Sequence, residues 1–166
     1  ADPTTGDLLV GYIDPGSGNR TFIQRIDPTN CTTEAIGNPA GYSRDRCAVL
    51  NTIGIGTLAT GDGSTHATFT IEVEPRTGDI YVGQRSGQIS IFGANGTSKG
   101  KFSAFGNGNT NGQTNTVRGM AFDANGFMYV TVSEGTANTR VEIFARTPDP
   151  ITSLAGAYTS AAKTEA

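Results

Sequence analysis

Histidine, cysteine and charge are all scarce in this sequence, and each scarcity closes off a class of chemistry. There is one histidine, His66. A zinc centre built from several histidines therefore cannot form, and a Ser–His–Asp triad has a single residue to draw on. His66 stands just before an alternating apolar stretch and is expected to be a loop or surface residue. No Gly-x-Ser-x-Gly elbow occurs. The Gly61-Asp62-Gly63 and Gly106-Asn107-Gly108 clusters are not followed by the Lys-Ser/Thr helix start of a phosphate loop. Charged residues make up 16% of the chain, with a net charge of −3. The 12 Lys and Arg are spread thinly, and the densest point is Arg44 with Arg46. A basic stripe for nucleic acid is absent from that pattern. No apolar run is long enough for a spanning helix. The two cysteines, Cys31 and Cys47, lack the spacing of a redox or haem-attachment motif.

What the chain has in quantity is glycine, 23 residues of 166, with abundant Thr and Asn. That composition suits many short strands joined by tight turns and disfavours long helices. Residues 8–13 and 21–26 read as antiparallel partners across the Asp14-Pro15-Gly16-Ser17-Gly18-Asn19 turn. Residues 28–47, bounded by the cysteines and rich in Gly, Pro and Ser, read as a loop pinned by a disulfide. Residues 48–58 are expected to supply an outer strand. Phe69, Ile71 and Val73 alternate with Thr70, Glu72 and Glu74, the period-2 pattern of a half-buried strand. Glu72 and Glu74 then share one face. They could do acid/base work as a pair, but a solvated strand face is the simpler reading. Turns at Arg76-Thr77-Gly78-Asp79, Arg85-Ser86-Gly87-Gln88 and Ala94-Asn95-Gly96-Thr97 separate further strands. Later strands fall at 117–122, 127–132 and 140–144, with a weaker one at 151–158. Residues 160–166 read as a tail or linker.

These stretches are self-similar. Residues 2–11, DPTTGDLLVG, parallel residues 74–83, EPRTGDIYVG. Ile89-Ser90-Ile91-Phe92 parallels Val141-Glu142-Ile143-Phe144. Gly78 and Gly126 stand 48 positions apart, while Gly6 and Gly78 stand 72 apart, a gap that the 28–47 excursion fills. Four short strands per period of 40–50 residues is a propeller signature. The best-defined period runs from Gly112-Gln113 through Arg118-Gly119-Met120-Ala121-Phe122-Asp123 and Gly126 to Met128-Tyr129-Val130. It resembles the NHL repeat, one blade of a β-propeller. The resemblance implies an all-β chain of about three blades of four antiparallel strands, at roughly 1–58, 59–106 and 107–159. Three blades form an incomplete ring, and the chain begins inside a repeat. It is therefore expected to be part of a longer protein or to be completed by assembly.

In such a propeller the loops before inner strands form one face near the axis. Asn107, Asn109, Asn111, Gln113, Asn115 and Arg118 would cluster there, where amides and a guanidinium suit hydrogen bonding to a glycan or a protein. Asp14, Asp27, Asp62, Asp79 and Asp123 lie in turns. Oxygen-rich turns suit calcium, and gluconolactonase-like propellers hold calcium at the ring centre, yet Asp in turns ordinarily serves the backbone. No cofactor is implied. Three Asn-x-Ser/Thr sequons, at Asn19, Asn30 and Asn95, together with a Cys31–Cys47 disulfide, suit an extracellular or cell-surface setting. Any secretion signal would have been removed or would lie outside this sequence. The resulting expectation is a non-enzymatic binding or scaffold module within a larger secreted protein. The alternatives are part of a calcium-dependent propeller hydrolase and a structural subunit of a fibre or surface layer.

Overall fold

The computed structural model describes residues 1–14, 20–36, 42–53, 68–84, 87–102, 116–133, 139–146 and 158–164. Strands occupy nearly all of this. The first sheet holds β1 (Leu8–Asp14), β2 (Arg20–Ile36) and β3 (Tyr42–Ile53). The second holds β4 (Thr68–Val73), β5 (Ile80–Gln84), β6 (Ile89–Phe92) and β7 (Ser98–Phe102). The third holds β8 (Val117–Phe122), β9 (Met128–Ser133), β10 (Thr139–Arg146) and β11 (Tyr158–Thr164). Each sheet is an antiparallel meander in chain order, so every strand pairs with its sequence neighbour. No described helix is long and apolar enough to cross a membrane.

Glycines make these meanders possible. Gly6, Gly78, Gly87, Gly96 and Gly126 all have φ between 72° and 85°, where a Cβ would be strained. In the turns after Gln84, Gly93 and Asp123, the glycine three residues on donates its N–H back to the first residue's carbonyl. That first residue donates to the carbonyl four residues on. A type I turn closed by a left-handed glycine has this pattern. The turns after Asp2 and Glu74 are one residue longer, with Asp2 N–H donating to the Asp7 carbonyl and Glu74 N–H to the Asp79 carbonyl.

The sheets stack face to face through two apolar layers. Ile23 and Ile53 of the first sheet pack with Val73, Ile80, Val82 and Phe92 of the second, flanked by Leu9 and Ile71. The other face of the second sheet presents Tyr81, Ile89 and Ile91 to Val117, Met120, Met128, Val130, Val132 and Phe144 of the third. Phe122 joins this layer with its ring edge-on to Tyr81, centroids 4.9 Å apart. The expected alternation along β8 is interrupted once. Val117 pairs with Val132 and Gly119 with Thr131, leaving Arg118 as the extra residue of a bulge. A single inserted residue reverses the side-chain parity, which is how Val117 and Met120, three apart, reach the same core. The β4–β5 ladder shifts at the matching place, between Thr68 and Thr70.

Three expectations need correction. Residues 28–36 and 42–47 form no pinned loop. They extend β2 and β3 into a long two-stranded ribbon in which Cys31 lies directly opposite Cys47 and Ile36 opposite Tyr42. The disulfide is present, but it ties two paired strands. Glu74 does not share a solvated face with Glu72. β4 ends at Val73, and Glu74 turns inward, fully buried. At the C-terminal end, β11 carries residues 158–164 into register with β10, so the strand runs through the stretch read as a tail. Residues 151–157, read as that sheet's fourth strand, lie outside the described residues.

Candidate binding face

The two ends of the stack have different characters. At one end lie the turns that open β1, β5 and β9, and here the acids are consumed by the fold. The Asp2 carboxylate accepts from the N–H and hydroxyl of Thr4 at 2.9 and 2.7 Å and from Arg25 Nη2 at 2.9 Å. Glu74 accepts from the N–H groups of Arg76 and Thr77 and from the Thr77 hydroxyl. Asp123 Oδ1 accepts from the N–H groups of Asn125 and Phe127, both at 2.9 Å, and its Oδ2 from the Tyr129 hydroxyl. One device thus recurs in all three sheets: a carboxylate stands at the start of the turn and caps it. Proline after the acid (Pro3, Pro75) has no N–H, so the first donor available is two residues beyond the acid.

Cations then cover what remains. Lys99 Nζ bridges both oxygens of nearly buried Asp79 at 2.7 Å, and Arg25 also approaches Asp7 at 3.7 Å. Burial alone would raise the Asp2 carboxyl, but the hydrogen bonds of Thr4 and the charge of Arg25 outweigh it and hold it below the usual carboxylate range. Tyr129 is displaced upward by burial, reinforced by the charge and hydrogen bond of Asp123. Arg76 Nη1 donates to the Asn125 carbonyl at 3.1 Å, joining the turns of the second and third sheets.

Of the five aspartates considered for calcium, Asp79 and Asp123 are committed in this way. Asp27 Oδ1 accepts from the N–H and hydroxyl of Thr29 at 2.8 and 2.6 Å. Those two bonds, stronger than the small opposing effect of burial, lower the Asp27 carboxyl. The Asp14 side chain and Asp62 lie outside the described residues. Among the described residues no three His, Cys, Asp or Glu side chains come together.

The opposite end is where β8 starts. Arg118 is exposed there, on the bulge. Thr116, just before β8, accepts from the Ser133 N–H at 3.0 Å and so lies beside the end of β9. Asn107, Asn109, Asn111, Gln113 and Asn115 lie outside the described residues, as does His66. The β5–β6 turn lies at the same end of its own sheet, and there the sequence reading passed over Gln84. Its side chain is buried, and Nε2 donates to Ser90 Oγ at 3.0 Å. A polar residue where the alternation calls for an apolar one was the available signal.

The sequons divide similarly. Asn19 lies outside the described residues. Asn30 is exposed on β2 beside Cys31, within a three-residue irregularity between Asp27 and Cys31. Asn95 is exposed in the β6–β7 turn, where its Oδ1 accepts from the Thr97 N–H at 3.0 Å. No protein-family profile matches the chain, and no curated sequence gives a significant match.

Proposed function

We propose that this chain is a β-propeller segment built of NHL-like blades and serving as a non-enzymatic binding or scaffold module in a larger secreted or cell-surface protein. The observation that carries this reading is the recurrence, in three stacked meander sheets, of one acid-capped, glycine-closed turn at one end. That leaves the opposite end for the loops that precede β4 and β8. On rigid scaffolds, binding residues are concentrated in such loops. The amide-rich stretch 107–115 with Arg118 is the proposed ligand face, and a glycan or a polar protein surface is its proposed partner. The blades fall at about 1–58, 59–106 and 107–164, the last including β11. A disulfide across an exposed ribbon supports an oxidising compartment, and exposed Asn30 and Asn95 are proposed to carry glycans.

The test is expression of the chain through a eukaryotic secretory route. Intact mass is taken before and after N-glycosidase, followed by a glycan array probed with native protein and with Arg118→Ala. Sugar removable by the enzyme, no titratable thiol, and array binding that weakens in Arg118→Ala are expected. Unmodified protein with two free thiols would overturn the extracellular placement. Binding unaffected by Arg118→Ala, or no binding to any glycan, would remove the glycan-reading loop.

A further inference from the structure

We propose that Asn125 is a site of spontaneous backbone rearrangement, promoted by the guanidinium of Arg76 from the neighbouring sheet. This goes beyond the binding function above and does not depend on the ligand loop.

An asparagine followed by glycine carries a reaction of its own. The Gly126 nitrogen, having lost its proton, bonds to the side-chain Cγ of Asn125. The Cγ–Nδ2 bond breaks, and ammonia leaves with a proton in place of the one Gly126 gave up. Water then opens the cyclic imide at either carbonyl, leaving aspartate or isoaspartate. Glycine obstructs the ring closure least, because it has no Cβ. Four Asn-Gly pairs occur in the sequence. Asn107-Gly108 and Asn111-Gly112 lie outside the described residues, while Asn95-Gly96 and Asn125-Gly126 stand in described turns.

The two turns hold their asparagines differently. Asn95 Oδ1 accepts from the Thr97 N–H at 3.0 Å, which ties the side chain to a donor beyond the glycine. The Asn95 carbonyl accepts from the neutral amide of Asn51 at 3.3 Å. The Asn125 side chain is exposed, and among the described residues nothing ties its amide. The Asn125 carbonyl accepts from Arg76 Nη1 at 3.1 Å. The guanidinium lies over the glycine, where an added Cβ would stand 3.2 Å from Nη1. The Gly126 N–H donates to the Asp123 carbonyl at 3.1 Å, and the Gly96 N–H to the Gly93 carbonyl at 2.8 Å. Either bond has to open before the ring closes, and the longer one opens more readily.

The Arg76 contact decides between them. The Asn125 carbonyl and the Gly126 nitrogen belong to one peptide unit, whose resonance spreads charge from nitrogen to oxygen. When the nitrogen loses its proton, the oxygen that Arg76 grips therefore carries much of the negative charge. A cationic donor already in place stabilises that ionised peptide more than the neutral one. Uncharged Asn51 gives the Asn95 peptide far less of this help. The product also falls where the structure registers it. Isoaspartate adds a methylene to the main chain of the turn. It converts the carbonyl that joins this turn to Arg76 of the second sheet into a free carboxylate.

The test uses the full chain made in a bacterial periplasm, where disulfides form and Asn95 stays free of sugar. The protein is incubated at mildly alkaline pH. Peptide mapping, with isoaspartyl methyltransferase marking the isomer, gives separate rates at Asn125 and Asn95 for the unaltered chain, Arg76→Gln and Arg76→Lys. Conversion is expected to be faster at Asn125 than at Asn95. Arg76→Gln is expected to slow Asn125 about fivefold, the difference between a charged and a neutral donor, and to leave Asn95 unchanged. Arg76→Lys keeps the cation and most of the native rate. A merely structural Arg76 would move the rate the other way, because losing its brace loosens the turn and frees the Gly126 N–H. An Asn125 rate that is unchanged or raised in Arg76→Gln would therefore overturn the proposal. So would equal slowing in Arg76→Lys, conversion at Asn95 as fast as at Asn125 in the unaltered chain, or no conversion at Asn125.

Discussion

At the residue scale, a few positions bear on stability out of proportion to their size. Gly83 is one. A Cβ built there would lie 2.5 Å from Val117 Cγ1 and 2.7 Å from Thr70 Cγ2, so the second and third sheets approach as closely as they do only because this residue has no side chain. Overpacking of this kind costs about 1–3 kcal/mol. Gly83→Ala is expected to lower the denaturant midpoint accordingly, and Val117→Ala in the same chain to cost less than it does alone. Additive losses would place the clash elsewhere. Glu72 acts in the opposite sense to the turn acids. Burial pushes its carboxyl above the usual value of 4.5, so the folded state favours the protonated form. Its ionisation therefore weakens folding as the pH rises through and above that value. Glu72→Gln should be more stable than the native chain at neutral pH, the difference vanishing as the pH drops below the ordinary glutamate range. Asp2, held low, contributes stability above its unfolded value of 3.8 that is lost as the pH falls further. Glu74 shows why the sequence misled: strict alternation puts Glu72 and Glu74 on one face, but the strand stops at Val73 and the turn rotates the next residue inward.

At the element scale, the short hairpins were readable and the long one was not. Acid-x-x-Gly and Asn-Gly between apolar runs mark a turn through backbone chemistry that is entirely local, and β4 to β6 and β8 to β10 fall close to where those signals put them. The β2–β3 ribbon was concealed because Pro28, Gly37, Pro39 and Gly41 look like loop punctuation. Beyond Asp27 the paired strands are tied by the cross-strand disulfide, a contact 16 residues apart in sequence. Residues 28–33 are exposed, so this half of the ribbon gains little from core burial. Closing a loop of that size stabilises by about 3 kcal/mol in the chain-entropy account. Reduction, or Cys31→Ser with Cys47→Ser, is expected to accelerate amide exchange through 28–36 and 42–47 while the β5, β6 and β9 amides keep their protection. Uniform loss of protection across all three sheets would mean that the ribbon is integral to the stack.

At the scale of the whole molecule, three sheets are built from one plan. The turns that open β1, β5 and β9 each place an acid at the start, a glycine in the left-handed region and the next strand against the neighbouring sheet. The 48-residue spacing of Gly78 and Gly126 exposed this plan in the sequence. The candidate ligand face was legible only as composition, because amide-rich loops carry no periodicity from which geometry can be read. The direct measurement of the shared plan is equilibrium unfolding of three single variants: Asp2→Ala, Glu74→Ala and Asp123→Ala. Each removes the acceptor for at least two turn donors, and stranding such groups costs about 1–3 kcal/mol. The expected result is a loss in that range for all three, with one cooperative transition retained. A large loss at one position with no change at the other two would contradict the equivalence of the three turns, and with it the single repeated unit.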